Sequence, residues 1–150
     1  MSLAQHAGLV PELYVSDLAR SLRFYIDLLG FAVAYERPEH RFAALSLGAA
    51  RIMLEQLRAT TPATSAEIAQ GEWRTATLER PFGRGINLEV ACDDVAAIAV
   101  RLAAAAYPAL VELHEKSYRV GENDVHVRQL VVADPDGYLI RPSQRLAEHS

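Results

Sequence analysis

The sequence predicts an α+β fold made of two βαβββ modules in tandem. Two observations carry this prediction. An apolar strand-like run, an acidic residue and a helical pattern occur twice in that order, and three further strand candidates follow each helical pattern. We therefore expect a single domain over 1–150, in which a module at 8–56, a connector at 57–84 and a module at 85–144 form a cupped mixed sheet with helices on its outer face.

The first module is predicted to begin with a strand near 9–15. Ser16 and Asp17 are the candidate caps of the following helix, because short oxygen side chains accept hydrogen bonds from free backbone N–H groups. Apolar residues then recur at helical spacing: Leu18, Leu22, Tyr25, Leu28 and Leu29. Three strands are expected after this helix, at 31–37, 41–47 and 51–56, with a turn at 48–50.

The connector is rich in Thr, Ala, Pro and Arg, and we expect one short helix near 65–70. The second module repeats the pattern of the first. A strand near 86–92 precedes the candidate caps Asp93 and Asp94, and helical spacing is carried by Val95, Ile98, Leu102 and Ala105. Strands are predicted at 109–114, 125–133 and 138–142, the last two joined by the turn-forming run DPDG.

Composition and charge exclude several classes of protein. The chain has 150 residues, 51% apolar and 23% charged, without the 18-residue apolar run that a membrane helix needs. A net charge of −4 without a basic block argues against nucleic-acid binding. The opening MSLAQHAG lacks the features of a signal peptide, and a single cysteine suits a reducing compartment, so we expect a cytoplasmic protein.

Several motifs resemble the vicinal oxygen chelate superfamily, which includes glyoxalase I, extradiol dioxygenases, fosfomycin-modifying enzymes and bleomycin resistance proteins. The pair VSDLARSLRFYIDLLGF and DPDGYLI carries this resemblance at the level of the superfamily. LVPELYVSDL, PFGRGINLEV, SYRVG and RQLVVADPDGYLIR look most like the bleomycin-resistance-type branch. The resemblance implies a ligand cup built by strands of both modules, and a homodimer.

The resemblance also implies four metal-ligand positions, which fall here on Val10, Glu55, Asn87 and Arg141. Valine has no donor atom, asparagine is a poor ligand for a transition metal, and arginine is a permanent cation. One carboxylate cannot hold a catalytic divalent ion. The histidines show no metal-binding spacing: His6, His40, His114, His126 and His149. We therefore expect neither a metal nor another cofactor.

Strand alternation predicts which side chains line the cup. Leu9, Pro11, Leu13 and Val15 should meet the helix, which leaves Val10, Glu12 and Tyr14 in the cup; the same alternation in the second module leaves Asn87, Glu89 and Ala91. The other predicted lining residues are Met53, Glu55, Gln129 and Arg141. Three carboxylates against one arginine suit a ligand with aromatic planes and positive charge.

Each lining residue also has a purely structural interpretation. Glu55 and Arg141 could pair with each other and close the cup, since an unpaired buried charge is costly. Glu12 and Glu89 could face solvent, and Tyr14 could fill the core.

The remaining candidates lie outside the predicted strands of the cup or have mainly structural interpretations. Trp73 could cover the cup or attach the connector to the sheet, and Tyr118 with Arg119 could form a loop at the rim. His126 fits a satisfied surface histidine, and Cys92 fits a small buried apolar residue better than a reactive thiol.

The function expected from these residues is metal-free binding of a cationic or aromatic small molecule, of the bleomycin-resistance type, with no catalytic residue. The alternative is a metal-dependent lyase, isomerase or oxygenase with non-standard ligands. A third possibility is a family member without a ligand that acts through its dimer surface.

Overall fold

The computed structural model of the protein describes residues 7–147. Its strands and helices follow the predicted order, two βαβββ modules, and the α+β class is confirmed. The elements are β1 (Glu12–Val15), α1 (Leu18–Leu22), β2 (Ala32–Arg37), β3 (Phe42–Leu47), β4 (Ala50–Gln56), α2 (Ser65–Ala69), β5 (Asn87–Ala91), α3 (Val95–Ala104), β6 (Val111–Val120), β7 (Asn123–Ala133) and β8 (Leu139–Arg145). None of the helices within this part of the chain is long and apolar enough to cross a membrane.

The strands form two four-stranded sheets, one from each module. Their orders are β1-β4-β3-β2 and β5-β8-β7-β6. In each sheet the first and last strands of the module pair in parallel, and the other pairs are antiparallel. The two modules therefore repeat one topology, as the repeated sequence pattern predicts.

Helix capping is partly as predicted. Asp17 accepts from the Arg20 backbone N–H at 3.1 Å, and Asp94 caps α3 in the same way. After α1 the chain continues as a π-helical segment over Arg23–Leu28. Ser16 is not a cap: its hydroxyl and its backbone N–H both donate to Asp136, 120 residues away, which leaves the capping role to Asp17.

One apolar core joins the two modules. The helices pack on one side of their own sheets, and α3 also contacts the π-helical segment of the first module. Fully buried members from both modules include Val15, Tyr25, Leu45, Leu54, Ile98, Leu130 and Ile140. Burying each large apolar side chain contributes about 1.5–3 kcal/mol, so two halves too small to fold alone stabilise each other.

The second module departs from prediction at its edge strand. β6 extends to Val120 and forms a hairpin with β7, with the turn at Gly121. The prediction that Tyr118 and Arg119 belong to a rim loop is therefore wrong: both lie in β6, opposite Val125 and Asp124. No clear apolar alternation marks this strand, because most of its residues on both faces are exposed.

Candidate ligand-binding site

Each sheet has one side covered by helices and one open side. The open side of the first sheet, here the first face, carries Glu12, Tyr14, Tyr35, Arg37, Phe42, Met53 and Glu55. The open side of the second sheet, the second face, carries Asn87, Glu89, His114, Lys116, Tyr118, Gln129 and Arg141. Among the residues predicted to pack inward, Leu13, Val15 and Val90 are buried and Leu88 is partly buried. The prediction is wrong for Leu9, which precedes β1 and is 81% exposed.

The first face holds two carboxylates without a counter-ion. Glu55 on β4 lies opposite Tyr14 on β1. Glu12 is two residues before Tyr14 on the same strand and lies opposite Met53. Within residues 7–147, neither carboxylate has a basic group within 4 Å, and the nearby Arg58 is paired with Glu72 at 3.3 Å. Burial, and then the negative charge of Glu12, raise the pKa of Glu55 above its ordinary value of 4.5. Together these acids make the first face a site for positive charge.

An aromatic surface lies next to the acids on the same face. The rings of Tyr35 and Phe42 are 6.0 Å apart, and the Tyr35 hydroxyl approaches the Met53 sulfur at 3.9 Å. The Arg37 guanidinium carbon stands 4.1 Å from the centre of the Phe42 ring. Phe42 is 4% exposed and its ring is already covered by Arg37, whereas Tyr35 is 43% exposed. Met53 is predicted from the sequence. Tyr35, Arg37 and Phe42 are not, although alternation across β2 and β3 could have placed them.

The connector reaches the margin of the first face at Trp73. Its backbone N–H donates to the Tyr14 hydroxyl at 2.8 Å, and its indole N–H donates to the Ile68 carbonyl at 3.2 Å. The ring remains 66% exposed. Next to it, the buried Arg74 is held by Glu67 and Glu72, at 2.9 and 2.7 Å. The indole is thus held by α2 of the connector, while the Trp73 backbone attaches the connector to β1 through Tyr14.

Arg141 is the centre of the second face. Its Nε donates to Asn87 Oδ1 at 3.2 Å, and its two terminal nitrogens donate to Gln129 Oε1 at 3.3 Å and Glu89 Oε2 at 3.4 Å. Glu89 therefore has a basic partner, unlike the acids of the first face. Gln129 is buried, and its amide nitrogen donates to the Tyr118 hydroxyl at 2.7 Å and to His114 Nε2 at 3.2 Å.

The two faces remain separate within one chain. No hydrogen bond or ion pair of residues 7–147 joins a side chain of the first face to one of the second face. In particular, the pair of Glu55 with Arg141, considered from the sequence, does not form in the chain, because Arg141 is engaged by its own sheet.

Two other candidate residues, His126 and Cys92, have structural roles. His126 is exposed and its Nδ1 lies 2.5 Å from the Ser117 hydroxyl, on the side of the sheet opposite the second face. Cys92 is partly buried, and that burial raises the pKa of its thiol, which makes it less reactive.

The residues at the four implied metal positions do not fit a metal ion. Val10 offers no donor, Arg141 brings a positive charge to the centre of its face, and Asn87 already accepts from Arg141. Only Glu55 remains as a donor. Between residues 7 and 147, no three His, Cys, Asp or Glu side chains of one chain are grouped as a metal site, and His6 and His149 lie outside that range. We derive no step through a metal.

Comparisons with known proteins place this geometry in context. The family model described as the glyoxalase/bleomycin resistance protein/dioxygenase superfamily matches residues 4–141. A superfamily member from Vibrio splendidus 12B01 is 33% identical, and the alignment covers 90% of this chain and 95% of that chain with a TM-score of 0.40. No curated protein gave a significant match.

Two more distant structures share the fold. TioX from Micromonospora sp. ML1 is 20% identical, with 96% of this chain and 100% of that chain covered and a TM-score of 0.61. Lactoylglutathione lyase from Agrobacterium tumefaciens is 16% identical, with 93% and 94% covered and a TM-score of 0.58. At these identities the likeness concerns the fold alone.

Proposed function

The chain belongs to the glyoxalase/bleomycin resistance protein/dioxygenase superfamily, and from this premise we propose that it binds a cationic aromatic small molecule without a metal. The binding cup is formed by the first face of one copy and the second face of another. The protein then acts by sequestration, in the manner of the bleomycin-resistance-type branch. The observation that carries the proposal is the pair of uncompensated carboxylates, Glu12 and Glu55, beside an aromatic surface.

The charges of the first face support a cationic ligand. Among residues 7–147 no basic group lies within 4 Å of Glu55, and only the more distant positive charge of Arg58 acts to lower its pKa. A protonated amine or amidine near Glu55 would supply a direct counter-ion and would favour the ionised carboxylate. The exposed ring of Tyr35 supplies a plane on which an aromatic cation can stack.

The separation of the two faces supports the proposed dimer. Each face alone is an open sheet surface, whereas small-molecule sites are usually concave and bury most of the ligand. The first face is acidic and the second is centred on Arg141, so the two surfaces are complementary in charge. Apposing them in a twofold dimer makes two equivalent cups.

Calorimetric titration with benzamidine tests the proposal, and benzamide serves as the neutral probe of the same shape. We expect benzamidine to bind more tightly than benzamide, and its affinity to fall as salt is raised. Glu12→Gln and Glu55→Gln should each weaken benzamidine binding, whereas Glu36→Gln, which removes the same charge from an exposed residue on the opposite side of β2, should not. Equal affinity for the two probes would contradict the proposal.

A metal-dependent lyase, isomerase or oxygenase is the competing function. Elemental analysis of the purified dimer separates the two. The proposal predicts no stoichiometric nickel, zinc, manganese or iron. A metal bound at one ion per cup, and lost in Glu55→Gln, would favour the enzyme.

A further inference from the structure

The buried amide of Gln129 uses both of its N–H donors and one lone pair of its oxygen. Its oxygen accepts from Arg141, and its nitrogen donates to the Tyr118 hydroxyl and to His114 Nε2. The orientation of the amide is determined by Arg141, because arginine offers only donors and must face the oxygen. Gln129 is 3% exposed, so its partners are held by a group that is itself fixed.

This arrangement determines where the neighbouring protons point. The Tyr118 oxygen accepts from Gln129, which leaves its own O–H free to donate elsewhere. His114 Nε2 also accepts from Gln129, so its proton is on Nδ1, which donates to the Glu112 carbonyl at 2.8 Å. Both ring nitrogens of His114 are thus engaged, and Tyr118 retains an unused donor.

Arg141 also retains unused donors. A guanidinium has five N–H groups, and Asn87, Gln129 and Glu89 take one each, at 3.2–3.4 Å. The remaining two find no acceptor among residues 7–147. The side chain of Arg141 is 26% exposed, so a molecule on the second face can reach them.

The second face also has more positive charge than its carboxylate can offset. Lys116 Nζ lies 5.2 Å from the centre of the Tyr118 ring and has no carboxylate within 4 Å among the described residues. Glu89, the one acid among the residues of this face named above, is already paired with Arg141. We infer that Arg141 and Tyr118 form a carboxylate-accepting site, with Lys116 beside it.

This inference rests on the proposed function and extends it, because it specifies the class of ligand. The first face accepts a planar cation, and the second face accepts an acidic group through a guanidinium and a hydroxyl. The ligand of the cup is therefore an amphoteric aromatic molecule, with a cationic group and a carboxylate on one ring system.

Three probes separate the contributions of the two faces. Benzamidine carries only the cation, benzoate only the carboxylate, and 4-amidinobenzoate both. By calorimetry on the intact dimer, we expect 4-amidinobenzoate to bind at least about tenfold more tightly than benzamidine, since hydrogen bonds to charged groups have effects of this size.

Tyr118→Phe is the sharpest variant, because it removes only the free hydroxyl. It should lower the affinity for 4-amidinobenzoate by about fivefold or more and thereby reduce the advantage of 4-amidinobenzoate over benzamidine. Tyr35→Phe, the same change on the first face, should keep the advantage of 4-amidinobenzoate over benzamidine. Arg141→Gln should abolish that advantage, and thermal melting establishes that each variant is folded.

The outcomes distinguish this inference from the proposed function. If benzamidine binds and the added carboxylate brings no gain, the carboxylate site is wrong and the proposed function stands. If benzoate binds in an Arg141-dependent way and benzamidine does not, the site is supported and the proposed function fails. If Arg141→Gln raises benzamidine affinity, Arg141 was neutralising Glu55 across the dimer, and the inference is overturned.

Discussion

The hydroxyl of Tyr25 donates a 2.7 Å hydrogen bond to the carboxylate of Asp134, 109 residues away, and thereby joins the helix of the first module to the β7–β8 turn of the second. Both groups are buried, and burial raises the pKa of each. The other Asp134 oxygen accepts backbone N–H groups of 136, 137 and 138. This contact explains why the two modules form one core.

We expect Tyr25→Phe to destabilise the protein by about 1–3 kcal/mol, because it leaves a buried carboxylate oxygen without its donor. Urea unfolding measures the effect. Tyr35→Phe is the matched control, since that hydroxyl is exposed and touches only a methionine sulfur. Equal stability of the two variants would show that the bond does not join the modules.

Gly137, the glycine of the β7–β8 turn, is predicted not to tolerate a side chain. It has φ +105°, and a Cβ there would lie 2.5 Å from Pro81 Cβ and 2.7 Å from Pro81 Cα. Gly137→Ala should cost about 3 kcal/mol or more, from backbone strain plus the clash.

Gly121→Ala isolates the strain from the clash. Gly121 has φ +64°, and a Cβ there would meet nothing within 4 Å. This variant should cost only about 1 kcal/mol in thermal or urea unfolding. A similar cost at both positions would mean that the connector moves away from the turn.

Glu55→Gln is predicted to stabilise the protein while weakening ligand binding. Because the pKa of Glu55 is raised above 4.5 in the folded state, protonation favours folding, and this contribution is lost as pH rises through the folded pKa. Glutamine is neutral at every pH. The melting temperature of the variant should exceed that of the wild type at neutral pH, and the difference should shrink at about pH 4. A difference that grows on acidification would contradict the raised pKa.

Trp73 offers a direct signal for occupancy of the first face. It is the only tryptophan of the chain, and its backbone binds the Tyr14 hydroxyl. We expect its fluorescence to change as benzamidine saturates the site, with the same midpoint as calorimetry. An unchanged signal at full occupancy would mean that Trp73 serves only to organise the connector.

The repeated module and its strand alternation could be predicted from sequence because they depend on local periodicity. Glu12, Glu55, Asn87 and Glu89 lie on the open faces as alternation requires. The partner of Arg141 could not be predicted, since Glu55 and Glu89 are equivalent in the pattern and only the register of β5 and β8 places Glu89 opposite it.

Other features could not be predicted from the sequence because they depend on contacts between distant parts of the chain. Ser16 donates to Asp136 instead of capping α1, and this bond depends on how the modules pack. The aromatic surface of Tyr35 and Phe42 lies on short strands without a distinctive motif. Gln129 is held by three side chains: His114 and Tyr118 on β6, and Arg141 on β8. No spacing in the sequence connects these positions.

The central claim is that one cup is shared by the first face of one copy and the second face of another. Glu55→Arg and Glu89→Arg each place a cation on one face, and each homodimer should fail to bind benzamidine. When the two variants are co-expressed, every mixed dimer has one cup with both changes and one cup with neither.

Calorimetry with benzamidine on the co-expressed protein, with its dimeric mass established by sedimentation, tests this directly. The account predicts that about one quarter of the cups regain wild-type affinity, the share expected from random pairing in a twofold dimer. No recovery of binding in confirmed mixed dimers would contradict it, because a cup built within a single chain cannot be repaired by mixing.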